Sequence, residues 1–312
     1  MTRTIDPDSQ AILDFIIASG RPPIAEAGLE AARAGMRASR LLFGALPPPT
    51  RNRDVAASGP AGAIPIRLYR PLDAPVERPL PLLVYFHGGG WVLGDIETGD
   101  ALCATLAQSV GIAVAAVDYR LAPEFPFPAG LEDCFAALDW LTAQAGDLGI
   151  SAARVAVAGD SAGGNLAAVC ALRARDRGEP LCAQILLYPV TDLTMTSDSY
   201  QRNASGYMLT AETMRWFRDQ YLGDANALDW RVSPLHAERL DDVAPALIVT
   251  SGLDPLCDEG AAYAARLVTA GVQVRYLPYP RQLHGFALWG KTVRDAAAVL
   301  AQVADELRQR LL

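Results

Sequence analysis

With 312 residues, of which 51% are hydrophobic and 20% charged, the chain can bury a large core, and neither share suggests disorder. A formal net charge of −8 without clustered Lys and Arg argues against a nucleic-acid partner. The longest uncharged stretch, 101–117, is broken by Thr105, Gln108, Ser109 and Gly111, so no membrane span is expected. The five cysteines lack metal or disulfide spacing, and the amino end lacks an export signal, which fits a cytoplasmic protein.

In chain order, residues 1–46 read as helical and stop at the breaker Pro47, Pro48 and Pro49. Residues 55–58 and 64–69 flank the turn-forming Gly59, Pro60, Ala61 and Gly62, which predicts a hairpin and an antiparallel sheet edge. Apolar runs then recur at 82–86, 112–117, 155–158, 185–188, 246–250 and 272–277. Helical segments at 102–108, 131–144, 165–175, 259–268 and 293–312 separate most of them. Such alternation predicts an α/β fold with a mostly parallel central sheet flanked by helices on both faces. Residues 194–230 fall outside it. They also look helical, and Met208, Leu209, Met214, Trp216 and Phe217 supply more apolar bulk than a solvent loop needs, either as core padding or as a cap over a pocket. The expected organisation is therefore N-terminal cap helices over 1–46, core over 47–193, a cap insertion over 194–230 and the rest of the core over 231–312.

Ser161 sits where the run 155–158 meets the helix-forming 165–175, within Gly159, Asp160, Ser161, Ala162, Gly163. Glycines two residues either side permit a sharp turn that exposes the hydroxyl. A phosphate-binding loop is the competing reading, but neither a Lys-Ser or Lys-Thr pair nor G-x-G-x-x-G accompanies the glycines. A serine needs a base, and the chain has three histidines. His236 has no catalytic residue type beside it and reads as a surface or capping residue. His87 precedes Gly88, Gly89 and Gly90 at a strand end, where successive N–H groups suit an oxyanion hole. His284 follows the last predicted strand, on the edge where open α/β sheets carry their sites, and is the candidate base. If the fold is an α/β hydrolase, whose triads run Ser, acid, His, the acid falls between Ser161 and His284, and Asp254 follows the strand at 246–250 and precedes Pro255, which keeps it extended. Asp258 and Glu259 read as helix-start charges.

HGGGW at 87–91, DYRLAPEFPFPA at 118–129, GDSAGG at 159–164, DPLCDEG at 254–260 and HGF at 284–286 together resemble the bacterial hormone-sensitive-lipase-like branch of the α/β hydrolases. The similarity spans about 64–310, and 1–46 fits the cap helices of that family more loosely. The resemblance implies Ser161 as nucleophile, His284 as base, Asp254 as acid, and the N–H groups of Gly88, Gly89 and Ala162 as oxyanion donors. Trp91, Asp160 and Glu124 are expected to be scaffold. It also implies a serine carboxylesterase acting on small-molecule esters with short to medium acyl chains through an acyl-enzyme, without metal or cofactor, and leaves a homodimer open. An amidase or peptidase with the same triad, or a non-catalytic ligand receptor on this fold, are the alternatives.

Overall fold

The computed structural model describes residues 4–74, 78–179 and 181–312. Helix α1 (Pro7–Ala18) starts where Asp6 accepts a hydrogen bond from the Asp8 N–H and Pro7 fills a position that needs no donor. Helices α2 (Ile24–Ala27) and α3 (Leu29–Phe43) follow before the proline run. Strands β1 (Arg51–Gly59) and β2 (Gly62–Arg70) then pair antiparallel with Gly59 opposite Gly62, which is the expected hairpin.

Strands and helices alternate thereafter: β3 (Leu80–Phe86), α4 (Asp100–Val110), β4 (Ala113–Val117), α5 (Ala129–Ala143), α6 (Ala145–Leu148), β5 (Ile150–Asp160), α7 (Ala162–Asp176) and β6 (Ala183–Leu187). Next come α8 (Ser199–Arg202), α9 (Ala211–Leu222), β7 (Ala246–Leu253), α10 (Cys257–Thr269), β8 (Val274–Leu283) and α11 (Arg294–Leu311). Residues 194–230 are less helical than expected. Only α8 and α9 form there, with turns and loops around and between them, and α9 starts where Thr210 caps the Thr213 N–H.

The eight strands order as β1-β2-β4-β3-β5-β6-β7-β8, antiparallel from β1 to β4 and parallel from there on. Every residue of β3, β4, β6 and β7 is buried, because helices cover both faces. Alternate side chains feed two cores. Leu82, Val84 and Phe86 join one with α5 and α7, and Leu83 and Tyr85 join the other with α4 and α11. Burying each such side chain contributes about 1.5–3 kcal/mol.

From β3 the chain moves to β4 on one side, whereas β5 pairs on the other. That reversal opens a crevice at the carboxyl ends of β3 and β5, where Phe86 lies opposite Gly159. The two loops leaving this point begin with His87 and Ser161.

Candidate active site

Ser161 alone makes the turn between β5 and α7. Its φ of 56° with ψ of −118° is a conformation that side chains rarely adopt, with a typical cost of about 1–3 kcal/mol. The surroundings hold it: its N–H donates to the Leu187 carbonyl at 2.8 Å, and its own carbonyl accepts from Asn165 and Val190 at 3.1 and 3.2 Å. The flanking glycines serve close approach. A Cβ on Gly163 would stand 1.9 Å from the Phe86 carbonyl oxygen, and one on Gly159 would stand 2.2 Å from the Gly163 carbonyl. The hydroxyl is less open than the motif suggests, since Ser161 is only 8% exposed.

His284 follows directly on β8, which runs to Leu283 rather than stopping at 277. Its Nδ1 lies 2.6 Å from Asp254 Oδ2 and its Nε2 2.9 Å from Ser161 Oγ. An ionised carboxylate only accepts, so Nδ1 carries the proton and Nε2 is left to accept from the serine hydroxyl. The Tyr188 ring meets the imidazole edge-on with centroids 4.8 Å apart.

Asp254 comes immediately after β7, because pairing with β8 carries that strand past the expected 250 to Leu253. It is fully buried. Its Oδ1 accepts from the Leu256 N–H at 2.9 Å, and its backbone carbonyl accepts from Asn203 Nδ2 at 2.8 Å. Asn203, between α8 and α9, carries no sequence signal for this contact.

The neighbouring acids are engaged elsewhere. Asp258 pairs with Arg202 at 2.6 Å. Glu259 is more than a helix-end charge: it is buried, and its Oε1 accepts from the N–H groups of Thr191 and Asp192 at 2.7 and 3.2 Å. Burial pushes its carboxyl well above the usual range, partly opposed by those two bonds. His236 is likewise not isolated, because its Nε2 meets Asp192 Oδ1 at 3.0 Å.

On the β3 side, the Gly88 N–H donates to Asp160 Oδ1 at 2.8 Å, and Tyr85 donates its hydroxyl proton to the same oxygen at 2.5 Å. Gly88 therefore cannot serve as an oxyanion donor in this arrangement, contrary to expectation. The carboxylate that withdraws it lies across the crevice, on β5. Among the described residues, the N–H groups of Gly89, Gly90 and Ala162 have no acceptor. Gly89 and Gly90 have φ of 117° and 61°, and a Cβ on Gly89 would stand 2.2 Å from the Leu93 carbonyl oxygen.

Helix α9 packs on this loop. A Cβ on Gly90 would stand 2.2 Å from the Phe217 ring, and Tyr221 stacks on Trp91 with centroids 4.3 Å apart. Helix α2 in turn touches α9. Glu124 binds Arg33 of α3 through both carboxylate oxygens at 2.8 Å. Among the described residues no group of three or more His, Cys, Asp and Glu could hold a metal ion, and no helix is long and apolar enough to cross a membrane.

A family model described as the alpha/beta hydrolase fold matches residues 83–288. The chain belongs to the α/β hydrolases. Within them it is a carboxylic ester hydrolase of the hormone-sensitive-lipase-like branch. It is 43% identical to the carboxylic ester hydrolase LipN of Mycobacterium tuberculosis, over 99% of this chain and 84% of the relative. It is 39% identical to an ethyl acetate hydrolase of Pseudomonas putida, over 99% of this chain and 100% of that one. Among solved structures, the hyperthermophilic esterase of Pyrobaculum calidifontis aligns with a TM-score of 0.92 at 39% identity, covering 98% of both chains. These named activities place the α/β hydrolase reading with enzymes rather than with non-catalytic receptors.

Proposed function

We propose that Ser161, His284 and Asp254 are the catalytic triad of a carboxylesterase that works through an acyl-enzyme. The observation that carries this reading is the unbroken line from Ser161 Oγ to His284 Nε2 at 2.9 Å and from His284 Nδ1 to Asp254 Oδ2 at 2.6 Å. As Oγ bonds to the acyl carbon, its proton passes to Nε2, and the buried Asp254 stabilises the imidazolium. The negative carbonyl oxygen is received by the N–H groups of Gly89, Gly90 and Ala162. Losing one such donor typically costs about 100- to 1,000-fold in kcat. Ala162 also opens α7, so the positive end of the helix dipole adds to its hydrogen bond. The imidazolium then protonates the departing alkoxide. In the second half, His284 takes a proton from water, the hydroxide oxygen bonds to the acyl carbon, and Oγ leaves with that proton.

The same reading assigns residues 4–46 and 194–230 to a cap, residues 1–3 of the expected cap lying outside the described residues. Phe217 and Tyr221 of α9 against Gly90 and Trp91 support it, as does the small exposure of Ser161. A covered serine admits short and medium acyl chains and excludes long ones. In a series of p-nitrophenyl esters, butyrate or hexanoate should be turned over faster than palmitate, with no jump in rate on emulsions. Palmitate as the best substrate, or activation at an oil surface, would contradict the cap. An anilide of the preferred acid should be cleaved far more slowly than the ester, and the reverse order would favour the amidase alternative.

A further inference from the structure

We propose that Arg33, on the N-terminal helix α3, is a positioning residue that sets the geometry of the oxyanion loop. This rests on the assignment of Gly89 and Gly90 as donors. Both adopt positive φ, and glycine has no side chain with which to fix itself, so the loop must be held through its backbone. The N–H groups of Val92 and Leu93 donate to the Gly89 carbonyl at 3.1 and 2.8 Å and fold the segment into a turn. Asp160 secures the Gly88 end.

Arg33 secures the other end. Its Nε donates to the Val92 carbonyl at 3.0 Å and its Nη2 to the Ala122 carbonyl at 3.2 Å. The Ala122 N–H in turn donates to the Trp91 carbonyl at 2.9 Å. One guanidinium thus ties together the two chain segments that frame the oxyanion loop. Glu124 pairs with the outer edge of the fork through two bonds of 2.8 Å and neutralises its charge, while the bonds to the two carbonyls are made by Nε and Nη2 independently of it. The Arg33 side chain is 17% exposed, so its bonds to the two carbonyls are partly shielded from competing water. A lysine offers one point charge and no planar fork, and it could reach only part of this set.

Arg33 could instead merely anchor α3 through its ion pair, and kinetics separate the two roles. The variants Arg33→Met, Arg33→Lys and Glu124→Gln are compared with the wild type on p-nitrophenyl butyrate, each with a melting temperature. Displaced donors weaken transition-state binding more than substrate binding, so Arg33→Met should lower kcat by about 10- to 100-fold and change KM by less than about twofold. The pH midpoint of kcat/KM should not move, because His284 and Asp254 are untouched. Arg33→Lys should recover part of kcat. Glu124→Gln should keep most of it, since the bonds to Val92 and Ala122 remain. Arg33→Met with kcat near wild type, or Glu124→Gln as slow as Arg33→Met, would overturn the proposal in favour of simple anchoring. Should Arg33→Met not fold, Arg33→Lys decides: a slow enzyme with a normal melting temperature supports the positioning role, and a normal rate refutes it. Ser161→Ala measured alongside checks the site itself; full activity there would overturn the triad and this proposal together, whichever way the Arg33 variants behave.

Discussion

Asp254, Asp258 and Glu259 lie within six residues of one another in sequence, yet their carboxylates have three different partners: His284, Arg202, and the backbone of Thr191 and Asp192. Asp254→Asn should leave the fold nearly intact and cut turnover steeply. The equivalent change in a serine protease costs about 10⁴-fold through the wrong imidazole tautomer. Asp258→Asn breaks a half-exposed ion pair worth about 0–1 kcal/mol and should keep most of the activity; exchanged outcomes in paired kinetic and melting measurements would make Asp258 the acid. Glu259 predicts a pH effect. Its folded carboxyl holds a proton that the unfolded chain releases above the ordinary value of 4.5, so its stabilising contribution is full below that pH and is lost as pH rises towards the elevated folded value. Glu259→Gln keeps an acceptor for the two N–H groups and never ionises. Its melting temperature should therefore decline less than that of the wild type as pH rises above 4.5, and parallel curves would refute this. At this scale the sequence revealed residue types and missed partners. Ser161, His284 and Asp254 stand out by motif and chain order. The loss of Gly88 to Asp160, the pairing of His236 with Asp192 and the reach of Asn203 to Asp254 join residues 72, 44 and 51 positions apart, where no local pattern operates.

Among the elements, the strand-to-helix turn at Ser161 has the least room. Gly163→Ala would drive its methyl into the Phe86 carbonyl, so α7 must shift away from β3. The expected cost is the about 1–3 kcal/mol typical of overpacking, with reduced turnover because Ser161 and Ala162 move too. By contrast, a Cβ on Gly146, in α6, would meet nothing within 4 Å. Gly146→Ala should leave activity intact and raise stability by about 0.4–1 kcal/mol through the unfolded chain. Thermal melts and ester turnover of both variants check this, and a benign Gly163→Ala would mean the turn is looser than described. Strands β3 and β4 were legible because burial on both faces demands unbroken apolar runs. The far ends of β7 and β8 were not. There Ser251, Gly252 and Leu253 extend the strand beyond the predicted 250, with Ser251 opposite Tyr279 and Leu253 opposite Leu283 across a register shift, without an apolar run to announce it.

Across the whole molecule, the alternation of strands and helices determines the sheet, and the reversal between β3 and β5 brings residues from distant parts of the chain to one crevice. The region 194–230 was legible as helical and apolar, and α8 and α9 form in part of it. Its path over the core follows from contacts such as Asn203, between the two helices, with Asp254 and Phe217 of α9 with Gly90, which no local pattern reveals. The central claim is that one serine of the folded chain is activated by His284, and covalent labelling with a small fluorophosphonate tests it most directly. An activated hydroxyl attacks phosphorus, whereas ordinary serines do not react. Peptide mapping by mass spectrometry should find a single label on Ser161, with none after unfolding, and strongly slowed labelling in His284→Ala. A label on another serine, or a folded wild-type protein that takes none, would contradict the account.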